Sequence, residues 1–205
     1  MEELYKKTLD RLKAELKKQL PEIEANGDWL WHHPEAGFKE TETQKYCLEV
    51  LKNHGFEACT WPDVTGFTCT YDTGRPGPCV MIMGEMDSLI CYSHPDCNPE
   101  TGAAHACGHS IQVATAMGAF ITLTESGVLE NFGGKVMLAG VPAEECLEIE
   151  WRTREIQKGR LHYLCGKAEL LYRGAFDGVD IVISMHAGLG NDGTITILGS
   201  HNGFI

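Results

Sequence analysis

The chain has 205 residues, a formal net charge of −12 and an apolar fraction of 43%. Its composition is ordinary and its 23 glycines follow no period, which excludes a collagen, a coiled coil or a disordered chain as a description of the whole sequence. Because an acidic surface repels phosphate backbones and anionic lipid, we expect neither nucleic acid nor a membrane as a partner.

Cysteine usage and the N-terminal stretch bear on the compartment. The nine cysteines are an odd number and contain no Cys-x-x-Cys pair, so neither a disulfide framework nor a zinc ribbon is expected. Residues 1–20 are charged and amphipathic, unlike a signal peptide. No apolar run approaches the ~20 residues that a membrane span needs. We therefore expect a cytoplasmic protein.

The N-terminal segment is predicted to be helical. Its leucines recur at helical spacing and predict an amphipathic helix over residues 2–20. Pro21 is expected either to kink this helix or to open a second one that runs to Trp31. The following segment WHHPEAG, residues 31–37, is predicted to be a loop.

Another amphipathic segment follows this loop. Thr41 and Gln44 have the spacing of a capping box, in which two side chains satisfy the first backbone N–H groups of a helix. Gly55 suits the position just after a helix C-terminus. These signals predict a helix over residues 42–54.

Beyond residue 55, short apolar runs alternate with helical patterns. Strands are predicted at residues 56–61, 66–71, 79–84, 134–141, 179–185 and 193–198. Helices are predicted at residues 109–125 and 150–173, the latter with a glycine break near residues 159–166. The order of elements after residue 79 predicts an α/β layered fold with a mostly parallel sheet.

Four short motifs lie at the ends of predicted strands or at the start of a predicted helix. They are Gly84–Asp87, Cys107–His109, Glu144–Glu145 and Met185–Gly188. In open α/β sheets, ligands gather outside the carboxyl ends of the strands. We therefore expect these motifs to converge on one crevice.

The residue types in these motifs are those that a transition metal prefers. A thiolate, two imidazoles and carboxylates match the ligands of zinc. The adjacent Glu144 and Glu145 suggest that one carboxylate binds metal while the other takes a proton from water. Each residue taken alone has a structural explanation, since Asp87 can cap a turn and His105 is equally open as a ligand or as a loop residue. The conjunction of four motifs favours a metal site.

Several strings in the chain resemble a known family. In order, the chain contains WHHPEAGFKETET, GEMDSL, TGAAHACGHS, VPAEE and VDIVISMHAG. Together they resemble the amidohydrolase branch of the aminoacylase and carboxypeptidase zinc metallopeptidases, which includes hippurate hydrolase, indoleacetyl-amino-acid hydrolases and aminobenzoyl-glutamate hydrolase. The resemblance runs from about residue 22 to the end. It implies a three-layer, zinc-peptidase-like catalytic domain with a mostly parallel sheet.

The resemblance also implies a reaction and a set of site residues. Members use two divalent metal ions, with zinc our first choice and manganese the second, to hydrolyse the amide bond of an N-acyl amino acid or small peptide. Carried over by motif, the metal ligands are Cys107, His109, Glu145 and His186. Glu144 would be the general base, which takes a proton from the attacking water. Asp87 and Ser110 would support the ligands from behind.

The sequence departs from the family in three respects. Ser110 stands where Asp or Asn is usual, and Gln112 stands where a related branch often has His. The chain also ends where the family continues into a lid and dimerisation domain and then supplies one more histidine ligand. The resemblance therefore implies that residues 1–199 are the N-terminal portion of the catalytic domain and that residues 200–205 begin the lid. Such a chain would hold one ion or none, and a homodimer remains open.

Two other function classes remain open. One is a binding or interaction protein that keeps the sheet and one metal but has lost turnover. Bound metal without amidase activity would support it. The other is a thiol enzyme with Cys107 as nucleophile and His109 or His105 as base, which leaves the two glutamates and His186 without roles. Inhibition by a chelator that zinc or manganese reverses would argue against it.

Overall fold

The computed structural model describes residues 2–188 of the chain. The helices are α1 (Glu2–His32), α2 (Thr41–Asn53), α3 (His109–Glu125), α4 (Ile149–Gln157) and α5 (Gly166–Tyr172), with a 3-10 turn at Val128–Asn131. The strands are β1 (Ala58–Thr60), β2 (Phe67–Asp72), β3 (Cys79–Glu85), β4 (Leu89–Ile90), β5 (Ala103–Ala104), β6 (Lys135–Val141) and β7 (Ile181–Ser184). Strands and helices alternate from β3 onward, which confirms the predicted α/β class.

The central sheet has five strands in the order β1-β2-β6-β3-β7. Strands β6, β3 and β7 are parallel, and β2 and β1 extend the sheet in antiparallel orientation beyond β6. Glu85 at the end of β3 pairs with Val141 at the end of β6. The carboxyl ends of the parallel strands therefore lie at one edge of the sheet. A separate antiparallel pair, β4 and β5, was not predicted.

Alternate residues of the strands point into two apolar layers, one on each face of the sheet. On β6, Leu138 belongs to the layer that includes α3, whereas Ala139 belongs to the layer that includes α5. Helix α3 is buried on most of its surface, with Met117 and Phe120 fully buried. Its high apolar content follows from its place between the sheet and α1. Helix, sheet and helix thus form three layers.

Helix α1 differs from its prediction, because it continues through Pro21 to His32. Proline inside a helix costs roughly 3 kcal/mol. Beyond it, Leu30 is buried, and Ile23 lies so close to Gly118 of α3 that a Cβ there would clash. Packing of this second half on α3 accounts for the continuous helix, and the predicted loop begins two residues later than expected.

The start of α2 also differs from its prediction. Thr41 is the first helical residue, and the cap comes from the Glu35 carboxylate, which accepts N–H bonds from Glu42 at 3.2 Å and Thr43 at 2.8 Å. The Gln44 side chain accepts the Gly66 N–H at 2.6 Å instead of closing a capping box. Gly55 follows the helix with φ +80°, as predicted.

The C-terminal half follows the predicted pattern up to β7. The helical region predicted at residues 150–173 is divided into α4 and α5, in agreement with the glycine break. The predicted strand at 193–198 and the predicted division between residues 199 and 200 lie outside the described residues. None of the helices between residues 2 and 188 combines the length and apolar character that a membrane crossing requires.

Candidate metal centre

The four motifs converge at the carboxyl edge of the sheet. Asp87 follows β3, Glu144 and Glu145 follow β6, His186 follows β7, and His109 is the first residue of α3. Parallel strands in register place these segments side by side. The expected crevice is therefore formed by three strand ends and one helix start.

Three of the predicted ligands form one set. The ligand atoms of Cys107, His109 and His186 all lie within 4.8 Å of one another. Cys107 Sγ is 3.5 Å from His186 Nε2, and the two imidazole rings meet edge-on with their centroids 5.5 Å apart. His186 Nδ1 is 2.8 Å from the Ala187 carbonyl oxygen, so an N–H at Nδ1 leaves Nε2 facing the thiol.

A second set shares His109 with the first. Glu85, His109 and Glu144 also have ligand atoms within 4.8 Å of one another. His109 Nε2 lies 3.2 Å from Glu85 Oε2 and 4.0 Å from Glu144 Oε2. Glu85 belongs to the Gly84–Asp87 motif, but no role was predicted for it. Its position at the end of β3 was the available signal.

Lys167 is a site residue that the sequence did not reveal. Its ammonium group contacts Glu85 and lies 3.5 Å from Glu144 Oε1. Burial lowers the pKa of Lys167, but the two carboxylates outweigh it and raise that pKa. Lys167 lies on α5 more than twenty residues beyond the Glu144–Glu145 motif, and no local pattern relates it to the strand ends.

Asp87 fixes the orientation of His109. The His109 Nδ1 atom lies 2.9 Å from the Asp87 carbonyl oxygen and 3.2 Å from Asp87 Oδ1, which fits an N–H at Nδ1. Burial lowers the pKa of His109, but Asp87 and then Glu85 outweigh it and raise the pKa to about 9. Asp87 Oδ2 also accepts the Glu145 N–H at 2.9 Å.

The thiol of Cys107 is held in its neutral form. Burial, and after it the neighbouring Glu145 carboxylate, raise the pKa of Cys107 to about 11. A nucleophilic cysteine needs a lowered pKa. This environment argues against the thiol-enzyme alternative, even though Cys107 lies just before the N-terminus of α3.

The remaining predicted residues lie close to these two sets. Glu145 is beside Cys107, although it belongs to neither set in the described chain. Ser110 is buried, and its hydroxyl has no hydrogen-bond partner among residues 2–188. The Gln112 side chain accepts the Glu85 N–H at 3.1 Å and donates to Ser184 Oγ at 3.0 Å. His105 is buried, and burial lowers its pKa to about 4.

The donor set fits a divalent transition metal. His109 Nε2 is buried and makes no hydrogen bond of acceptable geometry within the described part of the chain, although Glu85 Oε2 is near. A thiol, two imidazoles and carboxylates converge around that nitrogen. This combination of sulfur, nitrogen and oxygen donors is typical of zinc sites.

Comparison with known proteins gives curated relatives but no matching family model. The chain is 26% identical over 183 residues to an N-acyl-L-amino acid amidohydrolase of Geobacillus stearothermophilus, a match that covers 85% of this chain and 44% of the relative. It is 32% identical over 152 residues to a p-aminobenzoyl-glutamate hydrolase polypeptide of Escherichia coli (strain K12), covering 67% of this chain and 30% of the relative.

Solved structures give the same relationship. A putative aminohydrolase from methicillin resistant Staphylococcus aureus matches with a TM-score of 0.64 and 28% identity, over 84% of this chain and 41% of that one. A dinuclear metal binding peptidase of the M20 family from Bacillus subtilis matches in fold with a TM-score of 0.65 and 24% identity, over 86% of this chain and 44% of that one. The chain thus spans less than half the length of these relatives. In sequence and fold it is a relative of the amidohydrolase branch of the aminoacylase and carboxypeptidase metallopeptidases, the M20 peptidases.

Proposed function

We propose that the chain is the metal-binding part of an amidohydrolase that cleaves the amide bond of an N-acyl amino acid or small peptide. The observation that carries this proposal is the pair of ligand sets that share His109 at the carboxyl edge of the sheet. The relatives named for N-acyl-amino acid and aminobenzoyl-glutamate hydrolysis support the substrate class. A small-molecule substrate also suits the acidic surface, which disfavours nucleic acid.

We assign the metal to Cys107, His109, Glu145 and His186. Two divalent ions are expected from the relatives, with zinc preferred for the thiolate and manganese as the second choice. When bound, the metal polarises the substrate carbonyl and lowers the pKa of water. Asp87 keeps the proton of His109 at Nδ1 and leaves Nε2 available as a ligand.

Glu144 is the proposed general base. Its side chain is 35% exposed, so it reaches both the solvent and the centre, where Oε2 lies 4.0 Å from His109 Nε2. Glu144 takes a proton from the attacking water as the water oxygen bonds to the carbonyl carbon. It returns that proton to the leaving nitrogen as the C–N bond breaks. The neighbouring Lys167 contributes positive charge near this carboxylate.

Replacing Glu144 tests the assignment. We expect Glu144→Ala to retain its metal, measured by elemental analysis, and to lose hydrolysis of N-acyl amino acids by about 10²–10⁴-fold. Glu150→Ala, which removes an exposed acid on α4, is the control and should keep full activity. A metal-loaded Glu144→Ala protein that hydrolyses at the normal rate would refute the role of Glu144.

A metal-binding chain without turnover is the second candidate. It is favoured by the coverage, since the chain matches 44% or less of the relatives described above. Metal analysis beside an amidase assay on the same preparation separates the two. Metal without hydrolysis supports the second candidate, and hydrolysis that a chelator abolishes and zinc restores supports the first.

A further inference from the structure

The segment Glu35–Glu40 comes from the motif WHHPEAGFKETET, to which the proposed reaction assigns no role. Glu40 is fully buried. Its carboxylate accepts the Ala143 N–H at 2.7 Å through Oε1 and the Thr65 hydroxyl at 2.5 Å through Oε2. A buried carboxylate that accepts a backbone N–H from a segment a hundred residues away holds that segment at a defined place.

The partner of Glu40 lies directly before the two glutamates of the candidate centre. Ala143 has φ +49°, in the left-handed region that residues with a Cβ seldom adopt. Such a conformation persists only where its surroundings hold it. One residue beyond the base, the Glu145 N–H is bonded to Asp87 Oδ2 at 2.9 Å. The turn that carries Glu144 and Glu145 is therefore held by a buried carboxylate on each side.

The same segment touches both loops of the centre. A Cβ at Gly37 would lie 2.7 Å from Ala143 Cα, so the two backbones are in close contact. The Glu35 carbonyl oxygen accepts both the N–H and the hydroxyl of Ser88 at 2.9 Å, next to Asp87. The segment thus connects the turn after β6 to the loop after β3.

We propose that Glu40 is a positioning residue that sets the orientation of Glu144 and Glu145 through its bond to Ala143 N–H. This inference rests on the proposed function, because it gives that function's base and ligand a fixed geometry. Glu40 itself touches none of the proposed metal ligands in its described hydrogen bonds. It acts through the backbone of the turn.

Three variants test the proposal. Glu40→Ala removes the acceptor, Glu40→Gln retains an oxygen for Ala143 N–H, and Asn26→Ala is the matched control. Asn26 is also buried and accepts a 2.7 Å bond, from the Tyr46 hydroxyl between α1 and α2. We expect Glu40→Ala to weaken zinc or cobalt binding by about 10–100-fold and to lower kcat with little change in KM. Glu40→Gln should restore most of both, and Asn26→Ala should change neither.

Hydrogen exchange provides a readout that needs no metal. In Glu40→Ala the amide protons of Ala143 and Glu145 should lose protection, while those of β3 keep it. If that variant does not fold, Gly37→Ala displaces the same turn and should give the same local loss. Normal protection and normal metal affinity in Glu40→Ala, or an equal loss in Asn26→Ala, would overturn the positioning role. A wild-type chain that binds no metal but shows the expected exchange pattern would overturn the proposed function and leave the structural role of Glu40 supported.

Discussion

His109 carries more of the candidate site than any other single side chain, because both ligand sets include it. Its orientation depends on Asp87, which is itself fully buried. Groups behind a metal ligand typically contribute 10–100-fold in metal affinity. The position of Asp87 therefore matters as much as that of a direct ligand.

Removing Asp87 tests this dependence. We expect Asp87→Ala to weaken zinc binding by about 10–100-fold, measured by titration calorimetry, because His109 loses a carboxylate partner and Glu145 N–H loses its acceptor. Asp96→Ala, which removes an exposed acid, is the control. Equal zinc affinity in the two variants would show that Asp87 has no supporting role.

Single residues also show where prediction from sequence works and where it does not. Cys107, His109 and His186 were recognisable because each lies directly after a strand or at the start of a helix. Glu40 and Lys167 were not, because their roles arise only from contacts with distant segments. Neither has a local pattern that separates it from an ordinary surface charge.

At the scale of elements, α1, α2 and α3 are connected through one histidine. His54, at the C-cap of α2, lies 3.1 Å from Glu22 on α1 and 2.6 Å from Glu125 at the end of α3. Burial lowers the pKa of His54, but its hydrogen bonds to Glu125 and Glu22 outweigh burial and raise the pKa. The protonated form is therefore the one that connects the three helices.

This arrangement predicts a pH-dependent contribution to stability. A raised pKa in the folded state gives stability that is fully present below the unfolded value of about 6.5 and is lost as pH rises through the folded value. We expect His54→Ala to reduce the free energy of unfolding by about 1 kcal/mol at pH 6 and by much less at pH 9. Denaturant titrations at both pH values, with the exposed His32→Ala as control, measure the difference. A loss that is the same at pH 6 and pH 9 would contradict the ion-pair account.

Element boundaries were predictable wherever local signals agreed with packing. Helix α3 and strands β3 and β6 lie within one residue of their predicted bounds, because apolar runs, glycines and a clear change of period surround them. The start of α2 was not predictable, because its cap is Glu35, which lies outside the helix and outside the capping-box pattern. Helix α1 crosses Pro21 because tertiary packing outweighs local preference.

At the scale of the whole molecule, a parallel sheet between two apolar layers brings distant motifs to one edge. The order of strands and helices was sufficient to predict this architecture, since parallel strands separated by helices share their carboxyl ends. The edge strand β7 has all four residues exposed, including Ile181 and Ile183. Exposed apolar edges favour association, so studies in solution should include a solubility measurement.

Anomalous scattering from a crystal grown with zinc tests the proposed metal centre most directly. We predict at least one ion bonded to Cys107 Sγ, His109 Nε2 and His186 Nε2 at the ~2.0–2.3 Å of zinc bonds, with Glu145 completing the coordination. A crystal in which zinc binds only elsewhere, while these three side chains keep the separations described above, would contradict it.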